Sequence, residues 1–265
     1  MDIDATGKFV EAVLQLARIN DYEPGFNRNP QKAFHWYKTA AELGSPYAEY
    51  CIGTCYADGF GVQKDDAEAF KWFLKAALQK PPGFCCAQHA VGVYYRDGRG
   101  VPQDYSEAVR WFRKAAEQGL AVAQYDLANS YRLSKGTPQD FAAAARWYEK
   151  AAQQGYTAAQ YNLGVCYVRG FGIPQDYIKA VAWYRKAADQ GYVPGQHGLG
   201  LCYKNGQGVR RDTFQAYKWF QLAADQGHEK AKEEAAALVA LMSPSEFEAA
   251  SKSYRVFKDK NRAKQ

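Results

Sequence analysis

The residues of this 265-residue chain best suited to catalysis or metal binding are its four histidines and six cysteines. His35, His89, His197 and His228 are scattered, and none falls in an H-E-x-x-H pattern. Cys51, Cys55, Cys85, Cys86, Cys166 and Cys202 offer no C-x-x-C spacing and no histidine at a ligand offset, so neither zinc nor a disulfide framework is expected. No Ser or Cys can be paired with a base by spacing. Gly-x-Gly occurs at Gly59, Gly98, Gly170 and Gly206. A phosphate loop also needs a following Lys-Ser/Thr and a preceding strand, and both are missing. An enzyme is therefore not expected, and no cofactor is called for. The remaining chemistry is recognition: 20 Tyr, 14 Phe and 6 Trp supply rings, and 34 Lys and Arg supply cations.

The elements that must position these groups are legible from a period. The six tryptophans, Trp36, Trp72, Trp111, Trp147, Trp183 and Trp219, are separated by 36, 39, 36, 36 and 36 residues. Such self-similarity marks stacked supersecondary units. Three residues before each Trp stands Ala, and an Ala-Ala pair begins four residues after it. Steps of three and four place Ala144, Trp147 and Ala151, and their equivalents, on one helix face, so the indoles are read as core. On that reading Trp147→Ala costs about 3–5 kcal/mol. Asn29, Asp65, Asp104, Asp140, Asp176 and Asp212, seven residues before each Trp, are N-caps. Glu68, Glu107 and Gln215 are placed to complete capping boxes. Gly44, Gly119, Gly155, Gly191 and Gly227 stop this second helix.

The first helix of each unit reads AQYNLGVCY from Ala159, with relatives from Ala87 and Ala123. A large aliphatic followed by Gly or Ala, then an aromatic, allows close helix approach. A connection such as G-F-G-I-P-Q-D, Gly170 to Asp176, leads to the next cap. In unit four its first glycine is Ser134. The pattern Ala159, Leu163-Gly164, Tyr167, Gly170, Gly172, Asp176, Ala180, Trp183-Tyr184, Ala187-Ala188 and Gly191 resembles the Sel-1-like repeat family, relatives of the tetratricopeptide repeats. The resemblance implies an all-α fold, a right-handed superhelical solenoid of antiparallel helix pairs whose first helices line a concave surface. It also implies a protein that assembles others as scaffold or adaptor, or a bacterial immunity or inhibitor protein that wraps a cognate toxin or enzyme.

Carried onto this chain, that geometry turns one position per unit inward: Tyr50, His89, Tyr125, Tyr161 and His197. One turn on lie Val93, Asn129 and Val165, and beyond them Arg96, Arg132 and Lys204. A row of rings flanked by cations suits a protein or peptide segment that is acidic or contains aromatic residues. The opposing reading is that these rings only pack between adjacent first helices.

The organisation read from the sequence is a degenerate capping repeat over residues 1–44, with Glu23 and Gly25 where later units carry glycine pairs. Five repeats fill 45–228, capping helices 229–258, and a basic, disordered tail 259–265. Six basic residues after Ser251 stand against the single acid Asp259, so most of the net charge of +6 is local to that end. The near-neutral body argues against a nucleic-acid groove along the array. No apolar run is long enough to span a bilayer, and MDIDATGKFV does not begin as a signal peptide does, so a cytoplasmic protein is expected. The oligomeric state is left open.

Overall fold

The computed structural model describes residues 10–11, 13–17, 29–79 and 82–262, with side chains up to Asp259. Glu23 and Gly25 lie outside these residues, as does the end of the tail. Regular structure among the described residues is entirely helical. Helical residues 10–11 and 13–17 (α1) come first. They are followed by α2 (Pro30–Glu42), α3 (Pro46–Asp58), α4 (Asp66–Ala77), α5 (Cys85–Asp97), α6 (Tyr105–Glu117) and α7 (Ala121–Leu133). Then come α8 (Phe141–Gln153), α9 (Thr157–Arg169), α10 (Tyr177–Asp189), α11 (Val193–Asn205), α12 (Thr213–Ala224), α13 (Glu229–Val239) and α14 (Pro244–Arg262). The chain forms two compact units, one ending at Gln139 and one beginning at Asp140.

Each second helix starts where its cap dictates. The Asp65 carboxylate accepts from the amides of Ala67 and Glu68 at 2.9 and 3.0 Å, and Asp104 does the same for Ser106 and Glu107. The capping boxes, however, do not form. The amide of Asp65 donates to the Tyr56 carbonyl at 2.9 Å, that of Asp104 to Tyr95 and that of Asp212 to Tyr203. With that donor already taken by the first helix, Glu68 turns to Lys71 and Glu107 to Arg110, both at 2.5 Å. The amide that a capping box would use instead ties the two helices of a unit together.

The indoles also differ from expectation. Trp111 and Trp219 are buried, but Trp36, Trp72, Trp147 and Trp183 are only half-buried. The more deeply buried ring is the residue after each Trp: Tyr37, Phe73, Phe112, Tyr148, Tyr184 and Phe220. In four units a lysine three residues on covers the indole: Lys75 over Trp72, Lys114 over Trp111, Lys150 over Trp147 at 4.2 Å and Lys186 over Trp183 at 3.9 Å. The enclosed ring lies against the glycine of the first helix. A Cβ on Gly53, Gly92, Gly164 or Gly200 would fall 2.5–2.6 Å from the ring of Phe73, Phe112, Tyr184 or Phe220.

Buried amides link successive pairs. Gln160, 4% exposed, donates to the Ala152 carbonyl at 3.3 Å and accepts from Gln190 at 2.8 Å. Gln88 and Gln196 accept from Gln118 and Gln226 in the same way. In α3 the place is taken by Glu49, which receives Lys75 and Gln79, each at 3.1 Å. Paired polar groups at a seam fix its register, because leaving one unpaired costs about 1–3 kcal/mol. After the last pair, α14 lies on α12: Phe257 meets the Trp219 indole edge-on at 5.5 Å, and Tyr254 and Lys258 both bond to Asp225.

Candidate recognition surface

The five positions expected to face inward sit on the first helices, α3, α5, α7, α9 and α11, and all are half-buried. Several lean on the enclosed ring of their own unit. Tyr50 lies 5.5 Å from Phe73, His89 5.5 Å from Phe112, Tyr161 5.6 Å from Tyr184 and His197 5.7 Å from Phe220. Three of these rings also meet a second ring, Tyr50 with Phe84 at 5.5 Å, Tyr161 with Tyr192 at 5.8 Å and His197 with His228 at 4.7 Å, and each residue keeps only part of its surface exposed. Burial pushes the Tyr161 phenol up. It lowers the basicity of His197, as does the neighbouring His228, whose ring stacks on it at 4.7 Å.

In the unit ending at Gln139, four of the expected residues come together. Arg96, Tyr125, Asn129 and Arg132 line a cavity of about 270 Å³. Its apolar wall comes from Ala108, Phe112, Tyr105 and Leu133, and Asp126, Ser130 and Lys135 complete it. The helices explain the convergence. The end of α5 and the face of α7 are first helices of successive repeats, and α6 between them supplies the enclosed Phe112. Asp126 organises the rim, receiving His89 Nε2 at 2.8 Å and an Arg96 nitrogen at 3.7 Å. Arg96 also forms a two-pronged bond with Asp97, at 2.7 and 3.0 Å, which holds that carboxyl below its usual range. Arg132 reaches Asn129 at 3.4 Å, and the Lys135 ammonium stands 5.5 Å over the Tyr105 ring. The result is a ring-lined hollow with three cations and one carboxylate around it.

The remaining expected residues are placed differently. Tyr50, His89 and Val93 do not line the hollow, although His89 reaches it through Asp126. In the second unit Lys204 is bound to Glu234 at 2.5 Å, and His197 is covered by His228. Tyr161 and Val165 pack with the core around Tyr184. Tyr105, Asp126 and Lys135 were not anticipated from the sequence. A signal for Asp126 existed: the residue after the inward position is Cys51, Ala90, Asn162 or Gly198 elsewhere, and is acidic only here.

Among the described residues no group of three or more His, Cys, Asp or Glu could hold a metal ion. All six cysteines are free thiols, and burial pushes that of Cys202 up to about 11. No helix among the described residues is long and apolar enough to cross a membrane.

Comparison with known proteins places these elements in a recognised pattern. The Sel1 repeat model matches residues 10–45, 46–81, 87–120, 121–156, 157–192 and 193–228. The first of these matches, 10–45, covers the segment expected to be a degenerate capping repeat. A solved protective antigen of uropathogenic Escherichia coli strains, displaying an SLR fold, aligns with a TM-score of 0.84 and 34% identity over 96% of this chain. A Sel1 repeat protein from Oxalobacter formigenes aligns with a TM-score of 0.76 and 34% identity over 86% of the chain. This chain spans 56% and 65% of those two proteins. The chitin synthase regulator SKT5 of Saccharomyces cerevisiae is 38% identical over 55 residues, 21% of this chain and 8% of that protein.

Proposed function

Because the chain belongs to the Sel1 repeat family, whose members generally mediate protein–protein interaction and are typically non-enzymatic scaffolds, we propose that it holds a partner protein on the face built by its first helices. What supports this most is the hollow lined by Arg96, Tyr125, Asn129 and Arg132. Packing alone does not call for three cations around it. A ring floor with guanidinium and ammonium groups at the rim suits an acidic segment carrying an aromatic residue, through stacking, cation–π contact and charge-assisted hydrogen bonds. On this reading the protein is a cytoplasmic adaptor that uses no cofactor and does not engage nucleic acid.

Capture of the partner in the native cell tests the proposal. The variant Arg96→Ala/Asn129→Ala/Arg132→Ala keeps the aromatic floor, and each residue changed is partly exposed. Recovery should fall by about tenfold or more, since losing charge-assisted contacts costs roughly 1.5–3 kcal/mol each. Its thermal midpoint should stay near that of the parent. Undiminished capture by a folded variant would remove the hollow from the binding face.

A further inference from the structure

The repeat supplies its own control for which loop residues the packing needs. In three of the five connections between first and second helices, Pro-Gln precedes the capping Asp: Pro102-Gln103, Pro138-Gln139 and Pro174-Gln175. Each glutamine side chain donates to the carbonyl seven residues back, to Arg96 at 2.7 Å, Arg132 at 2.9 Å and Val168 at 2.7 Å. That bond clips the connection onto the end of the first helix. In the last connection the dipeptide is Arg210-Arg211. Both arginines are exposed, and among the described residues neither guanidinium meets a hydrogen-bond or ion-pair acceptor. The clip has been given up, and two unengaged cations stand in its place.

These arginines border a groove of about 800 Å³ between the connection and the turn that joins α13 to α14. That volume lies within the range of about 300–1,000 Å³ common to ligand clefts. Its apolar wall includes Phe214, 41% exposed, Leu241, 81% exposed, and the half-buried Met242. The two carboxylates of the groove are already in use. Asp212 caps α12 through the Gln215 amide at 2.9 Å, and Glu246 accepts from the Ser243 amide and hydroxyl, both at 2.8 Å. The docking of α14 on α12 depends on Trp219, Asp225, Tyr254 and Phe257, none of which lines the groove. Single exposed leucines are ordinary on protein surfaces, but an apolar wall beside unengaged cations forms a surface of one definite chemistry.

We infer that this groove is a second docking surface, independent of the Arg96–Arg132 hollow, that takes an acidic amphipathic segment of a partner protein. The apolar side of the segment lies on Phe214, Leu241 and Met242, and its carboxylates pair with Arg210 and Arg211.

The test uses the full chain and two fluorescein-labelled synthetic peptides. Both carry leucines at helical spacing, one with glutamates along the flanks and the other with lysines there. Anisotropy titration should show saturable binding of the glutamate peptide, at least tenfold tighter than the lysine peptide and weakened by added salt. Arg210→Ala/Arg211→Ala and Leu241→Ser should each weaken it about tenfold or more, with helical content unchanged. Hydrogen exchange should show protection confined to residues 206–214 and 238–246. Equal affinity for the two peptides, indifference to both variants, or protection elsewhere would overturn the inference. A dimer in sedimentation that Leu241→Ser dissolves would also overturn it, by giving the groove to a second copy of the chain. The Arg96–Arg132 proposal stands or falls separately, because neither variant touches that hollow.

Discussion

Replacing Tyr148 with alanine is expected to cost about 3–5 kcal/mol, and replacing its neighbour Trp147 no more than about half of that. Tyr148 is 0% exposed and sits among Ala144, Ala145, Ala151 and Ala152, all buried. Its removal therefore opens a sealed cavity, which the surrounding structure closes only in part. Trp147 is larger but half-buried, with Lys150 lying over it. Truncating the indole therefore exposes surface that water can reach, without opening a sealed cavity. Urea unfolding followed by circular dichroism measures both. A larger loss for Trp147→Ala than for Tyr148→Ala would show that the indole, not the phenol, fills the seam.

The second large effect lies in a connection. Gly172→Ala should cost about 3 kcal/mol or more, whereas Gly170→Ala should cost about 1–2 kcal/mol. Both glycines have positive φ, 71° and 69°. They differ in what a methyl group would meet. At Gly170 the nearest atom is 3.7 Å away, so only the left-handed backbone penalises a side chain. At Gly172 a Cβ would lie 2.2 Å from the Phe141 carbonyl group and 2.3 Å from the Ala142 nitrogen, which are backbone at the start of α8. The chain has already performed half of this experiment: the position of Gly170 is occupied by Ser134 in another unit, at φ 56°. The position of Gly172 is glycine in all five connections, Gly61, Gly100, Gly136, Gly172 and Gly208. Equal thermal midpoints for the two alanine variants would contradict this division of labour.

These two cases also show how far the sequence could be read. The period, the helix pairs and the N-caps were legible, because each repeats in register and has a local cause. The identity of the enclosed ring was not. Ala144, Trp147 and Ala151 are spaced three and four, while Ala144, Tyr148 and Ala151 are spaced four and three. Both sets share a helix face, so periodicity cannot choose between them; for Phe73, Phe112, Tyr184 and Phe220 the facing glycine of the first helix decides. The capping boxes failed for a related reason: the donor they needed is taken by a carbonyl of the partner helix, a tertiary contact that the S/D-x-x-E spacing cannot express. For the recognition surface, the family geometry brought Arg96, Tyr125, Asn129 and Arg132 to one place. Lys204 is diverted to Glu234 on α13, which lies outside the repeat and had no counterpart to compare with. Asp126 and the Arg210-Arg211 pair are departures from the repeat. A departure without a packing cause is where a repeat protein shows its specificity.

Photocrosslinking in the native cell tests the location of the binding face most directly. A benzophenone amino acid placed at position 129, in the hollow, should form a covalent adduct with the partner. The same group at position 110, on the exposed side of α6 where Arg110 pairs with Glu107, should form none. An adduct from position 110 and none from position 129 would put the partner on the second-helix side of that unit and contradict the account.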